Sequence, residues 1–160
     1  MGKGQGALVL VVASIQDIET ALPALVGTSW SDESCQTDDY NCIAFAFGDT
    51  KNWWWPGKGY GRYWPPGFPF DDLLDTLVKI FELHGYSRCD TEEHEPGYEK
   101  VAIYGHNGRI KHAARQLRSG RWASKLGYEQ DIEHERAEHA ECMDYGTIEQ
   151  FLRRKRDDWS

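Results

Sequence analysis

Apolar residues recur at helical spacing across residues 71–84, where Leu73, Leu74, Leu77, Val78, Ile80, Phe81 and Leu83 fall on one side. That period predicts an amphipathic helix, capped by Asp71 or Asp72 and stopped by Gly85. Further on, the period changes to two. Residues 99–104, 109–117 and 122–126 read as strands, separated by Gly105-His106-Asn107-Gly108 and Arg118-Ser119-Gly120-Arg121. Two short turns between β-rich runs predict an antiparallel meander. Alternation places Ile110, His112 and Ala114 on one side of the middle strand.

The remaining segments are less periodic. Residues 15–25 suit a short helix, with Asp17 and Glu19 near its start and Pro23 near its end. Residues 28–41 are polar and read as a loop. Asn41 is an N-cap residue for a small-residue helix that begins at Cys42 and stops near Gly48 and Asp49. Residues 51–70 hold Trp53-Trp54-Trp55-Pro56 and Tyr63-Trp64-Pro65-Pro66, and the prolines and glycines there exclude long regular elements. So many aromatics must pack as a lid or line a groove, which makes Trp53, Trp54, Trp55 and Trp64 candidate substrate contacts. Residues 86–97 are acidic and read as a surface loop, and residues 131–143 as a charged surface helix. The tail, 144–159, is expected to end in a helix, with Thr147 and Gln150 at capping-box spacing and Ile148, Phe151 and Leu152 as its apolar face. The basic run Arg153-Arg154-Lys155-Arg156 suits the solvated end of that helix.

Composition narrows the function classes. The 160 residues fit one domain, with a leader and short helix at 1–27 ahead of a domain at 28–160. A net charge of −8 disfavours nucleic-acid binding, which needs a basic face. The apolar run at residues 7–13 is too short to span a membrane, and its length leaves cytoplasmic and exported locations both open. The cysteines Cys35, Cys42, Cys89 and Cys142 lack the CxxC spacing of a zinc or redox motif, and reduced thiols are expected. His134, His139 and Cys142 also lack a strong zinc spacing, so no metal or organic cofactor is implied.

The chemistry that stands out is a thiol and an imidazole. Cys42 falls in the first turn of its helix, where the helix dipole favours a thiolate, and His112 lies on a downstream strand. An imidazole near a thiol activates it by accepting its proton. Cys42-Ile43-Ala44-Phe45-Ala46 resembles the Cys-Trp-Ala-Phe-Ala helix of papain-like cysteine peptidases. Gln36, six residues earlier, matches the spacing of their oxyanion-hole glutamine, and His112 matches their strand histidine. Trp122-Ala123-Ser124-Lys125-Leu126-Gly127 is similar to their Asn-Ser-Trp-Gly segment, with Ser124 in place of asparagine and Asp131 as a competing orienter. The chain also resembles, across residues 28–153, an uncharacterised bacterial domain family through Tyr40–Ala46, Trp53–Pro56, His112–Gln116, Trp122–Gly127 and Asp131–His134. More distantly it resembles NlpC/P60 and CHAP amidases.

These resemblances imply an α+β, papain-like fold, with a nucleophile helix packed on an antiparallel sheet. They imply a cysteine-dependent peptidase or amidase acting on a peptide or other amide-bearing substrate. Cys42 is then the nucleophile, His112 the general base, Gln36 the oxyanion donor, and Ser124 or Asp131 the imidazole orienter. A side-chain deamidase or acyltransferase, and a non-catalytic binding module, are the alternatives.

Overall fold

The computed structural model describes residues 14–33, 39–56, 62–126 and 130–156. Its frame is a seven-stranded antiparallel sheet in the order β1-β8-β7-β6-β5-β9-β4. The strands are β1 Trp30–Asp32, β4 Ser87–Cys89, β5 Tyr98–His106, β6 Arg109–Gln116, β7 Trp122–Lys125, β8 Asp131–His134 and β9 Thr147–Lys155. Two-residue strands β2 Trp53–Trp54 and β3 Arg62–Tyr63 pair in parallel apart from it. Among the described residues the α-helices are α1 Ile15–Ala21, α2 Cys42–Phe47 and α3 Leu74–Leu83. The longest has ten residues, so no described helix is long and apolar enough to cross a membrane.

The sheet separates two cores. On one face α2 and α3 cover Val101, Ile103, Ala113, Ala123 and Leu152. On the other, α1 and the 3-10 turns Pro23–Leu25 and Ala137–Ala140 cover Ala102, Tyr104, Ala114, Trp122 and Ile132. Neighbouring residues of β5, β6 and β7 divide between the cores, as period-two geometry requires.

The meander and α3 form where the hydrophobic periods place them, although Leu73 rather than Asp71 or Asp72 is the N-cap and no side chain caps the helix. The papain-like expectation is overturned: the domain is mostly a seven-stranded antiparallel sheet with a few short helices, not a nucleophile helix packed on a sheet in the papain manner. The expected terminal helix is β9, inserted between β5 and β4. Its basic residues are not a solvated helix end. Arg153 pairs with Glu95, and Arg154 with Glu99 at 2.9 Å, so neighbouring acids draw the run into the sheet. The expected surface helix at 131–143 is instead β8 followed by a 3-10 turn. The loops at 28–41 and 86–97 contain β1 and β4. The apolar run at 7–13 lies outside the described residues.

Candidate functional site

Asn41 sets the position of Cys42. Its extended backbone and side-chain oxygen cap α2, accepting from Ala44 N–H at 3.1 Å. The same oxygen accepts from Trp54 N–H at 3.0 Å, and the amide donates to Trp54 C=O at 2.7 Å. One buried side chain thus ties the helix start to the aromatic loop. Gly48, left-handed at φ 86°, ends the helix after six residues.

Cys42 is buried at 7% exposure, yet it borders an open groove of about 270 Å³. Asn41, Trp53, Trp55, Arg62, Lys111 and Tyr145 form the rest of the lining. Burial pushes the thiol up to about 11, outweighing hydrogen bonds from the backbone N–H groups of Ala113 and Ile43 and the charge of Lys125. The thiolate expected from the helix start is therefore absent at neutral pH. Desolvation is the larger effect on so short a helix.

His112 leaves β6 on the other face. It pairs across the sheet with Tyr104, and its ring stacks on Tyr145 with centroids 4.0 Å apart and planes 5° apart. Its Nε2 lies 3.1 Å from Ser124 Oγ, and Ser124 Oγ lies 2.8 Å from His134 Nε2. His134 Nδ1 lies 2.9 Å from the Arg136 carbonyl oxygen. All three side chains are fully buried. Burial holds both imidazoles neutral, lowering His112 to about 3 and His134 to about 4. Nδ1 of His112 has no hydrogen-bond partner among the described residues.

The two faces meet at one end of β6. β7 stops at Lys125, and the register of β6 slips at Lys111, between the Tyr104–His112 and Gly105–Ile110 pairs. Here α2 packs on β6, and the backbone of Ala113, the residue after His112, is close enough to the Cys42 sulfur to favour its thiolate. Tyr145 belongs to both sides, bordering the groove with Cys42 and stacking on His112. Gly146 seats that tyrosine: at φ 77°, an added Cβ would lie 2.1 Å from the Gly105 carbonyl oxygen.

A family model described as a domain of unknown function, DUF7689, matches residues 31–153. The chain belongs to this family. No curated protein and no solved structure matches it. The matched span holds the whole Cys42 groove and the His112–Ser124–His134 chain. Membership of the DUF7689 family agrees with the expected resemblance to an uncharacterised domain family, at that level and no finer.

Within the DUF7689 domain the sequence-derived candidates separate. Ser124 touches the imidazole. Asp131 does not: on β8 it alternates with Ile132 and His134, and its carboxylate accepts from Tyr40 O–H at 2.9 Å on the α2 face. Cys42 and His112 are not joined by a hydrogen bond. Trp53 and Trp55 line the groove. Trp54 and Trp64 are core residues instead, their indoles donating to Asp49 and to the Pro69 carbonyl, both at 2.8 Å. Gln36 and Cys35 lie outside the described residues. Cys42, Cys89 and Cys142 are free thiols, and no group of three or more metal-ligating side chains gathers among the described residues.

Sequence reading missed His134, Tyr145, Arg62, Lys111 and Lys125 as site residues. For His134 a signal existed. Trp122, Ser124, Ile132 and His134 repeat a two-residue alternation with polar side chains at core positions, which marks a buried polar chain.

Proposed function

We propose that the domain is a thiol-dependent hydrolase acting on an amide, with Cys42 as nucleophile and Nδ1 of His112 as general base. The observation that carries this reading is the buried His112 ring. One nitrogen is held by Ser124 while the other has no partner, one residue from Ala113, whose backbone N–H favours the Cys42 thiolate. A buried lone pair without a partner is costly and marks a place where a proton is to be received.

The thiol and the imidazole both rest neutral, so the proton moves as the substrate reacts rather than beforehand. Catalytic hydrogen bonds often tighten only once substrate is bound, which accommodates their separation in the free protein. The Cys42 S–H proton passes to His112 Nδ1 as sulfur bonds to the carbonyl carbon. Nδ1–H then protonates the leaving nitrogen as the C–N bond breaks. Water attacks the thioester, its proton returns to Nδ1, and the acid and free thiol are released. The Cys42 backbone N–H and the charge of Lys125, which both favour negative charge on the sulfur, are the groups assigned to the developing oxyanion.

The groove indicates the class of substrate. Trp53, Trp55 and Tyr145 offer flat apolar walls. Arg62 and Lys111 add two cations that make no ion pair among the described residues, although the chain as a whole is acidic. An acyl group bearing a carboxylate or phosphate suits that lining.

A second reading, a binding module without chemistry, draws on the neutral thiol and the missing Cys42–His112 hydrogen bond. Reaction with p-nitrophenyl esters of neutral and anionic acyl groups, followed by intact-protein mass, separates the two. The hydrolase forms an acyl adduct on Cys42 that Cys42→Ala abolishes and His112→Ala slows by about 10²-fold or more. The module forms no adduct, or one whose rate ignores His112.

A further inference from the structure

Behind the thiol site His112, Ser124 and His134 form a directed hydrogen-bond chain, and its direction follows from one fixed group. The Arg136 carbonyl only accepts, so His134 Nδ1, 2.9 Å away, must carry its proton. A neutral imidazole has one N–H, which leaves His134 Nε2 as an acceptor. Ser124 Oγ, 2.8 Å from it, therefore spends its only proton there. The serine oxygen can then only accept from His112 Nε2 at 3.1 Å, which places the His112 proton on Nε2. The opposite direction would set a bare His134 lone pair against a carbonyl oxygen and leave an N–H buried without an acceptor on His112 Nδ1.

We infer that His134 is a positioning residue that holds His112 in the Nε2–H tautomer through the Ser124 hydroxyl, so that the lone pair is kept at Nδ1. The inference rests on the proposed hydrolase only for its consequence, since Nδ1 is the nitrogen assigned as base. The tautomer itself follows from the chain. Tyr104 and Tyr145 pack on the His112 ring, and His139 and Arg121 are the titratable neighbours that act on His134. None of these places a donor on Nδ1. A resting imidazole that had to exchange its proton between nitrogens before each turnover would be a poorer base. A carbonyl at the far end of the chain removes that choice.

The test is long-range proton–nitrogen correlation NMR of the ¹⁵N-labelled full chain near pH 7.5. The expected spectrum shows His112 protonated at Nε2 and bare at Nδ1, and His134 protonated at Nδ1 and bare at Nε2. Ser124→Ala should pull the two His112 nitrogens toward averaged shifts, whereas Ser124→Thr, which keeps the hydroxyl, should retain the parent pattern. His134→Phe should free the serine proton to donate to His112 Nε2 and so raise the Nδ1–H form. Amide dispersion in the same samples shows whether each variant is folded. Should His134→Phe unfold, the two serine variants decide.

The inference fails if His112 carries its proton on Nδ1 in the parent protein. It fails equally if the tautomer is unchanged when the serine hydroxyl is removed. This readout needs no turnover. The expected tautomer without any acyl adduct would sustain the chain and sink the hydrolase, and an adduct with the wrong tautomer would sink the chain and keep the thiol chemistry with its base moved from Nδ1.

Discussion

The two faces of β6 bury polar groups by different means. On the α2 face, charges sit against rings: Arg115 lies 4.6 Å over Phe45 and Lys125 5.3 Å over Tyr40, beside the neutral thiol. On the other face the buried cation Lys100 is matched instead by an acid, Glu95 at 2.9 Å, and the polar groups beside it are neutral. His112, Ser124 and His134 share protons in a neutral row that ends on a backbone carbonyl. The first solution leaves room for an open groove beside it, because each cation rests on a ring and not on a chain of shared protons. The second requires a closed core, because each member satisfies only its neighbour. The groove face is thus suited to receive a ligand, and the closed face to hold a tautomer.

Core truncation should break this comparison most strongly. Trp122 is fully buried on the closed face, so Trp122→Ala is expected to cost about 3–5 kcal/mol of unfolding free energy. Trp53 is half-buried on the groove wall, so Trp53→Ala should cost less than about 1 kcal/mol. Denaturant titration compares them, and similar losses would show the two faces to be equally packed. Asn41→Ala comes next, at about 2–4 kcal/mol, because it removes a cap and leaves the buried Trp54 N–H and C=O unpartnered. The same denaturant series measures it, and a loss under about 0.5 kcal/mol would mean that water replaces the amide.

Acid should act on the closed face. Both imidazoles stay neutral in the folded protein to about pH 3 or 4, whereas unfolded histidine protonates near pH 6.5. Stability is therefore complete above about pH 6.5 and falls as pH drops toward the folded values, by at most about 2.7 kcal/mol per pH unit for the two protons. In His134→Gln the histidine part of that fall should be roughly half as steep. Stability measured between pH 7 and pH 4 decides, and identical slopes would mean that His134 titrates alike in both states. The smallest effect belongs to the groove. Arg62→Glu and Lys111→Glu should each lower the iodoacetate-to-iodoacetamide rate ratio at Cys42 by roughly threefold at low salt. An unchanged ratio would remove the argument for an anionic substrate.

The sequence made some of this legible. Asn41 before Cys42 announced a capped helix start, and the alternation of His112 and Ala114 marked a strand with a buried histidine, although the bulge at Lys111 turns Ile110, expected on the same side, into the opposite core. The serine contact was legible through the register of Trp122 to Gly127. Other parts depended on partners distant in the chain. The basic run of β9 looked solvated until Glu95 and Glu99 came beside it. His134 looked like part of an acidic helix because its environment, Ser124 and the Arg136 carbonyl, exists only once β7 and β8 pair. The thiolate expected from the helix start yielded to burial, a quantity the local sequence does not carry.

The most direct measurement is the rate at which Cys42 is acylated by an anionic p-nitrophenyl ester, in the parent protein and in His112→Ala, followed by intact mass. A single adduct on Cys42, formed about 10²-fold more slowly in the variant, is the predicted result. No adduct, or one forming at the same rate in both proteins, would contradict a thiol–imidazole site and leave the groove as a place that binds without reacting.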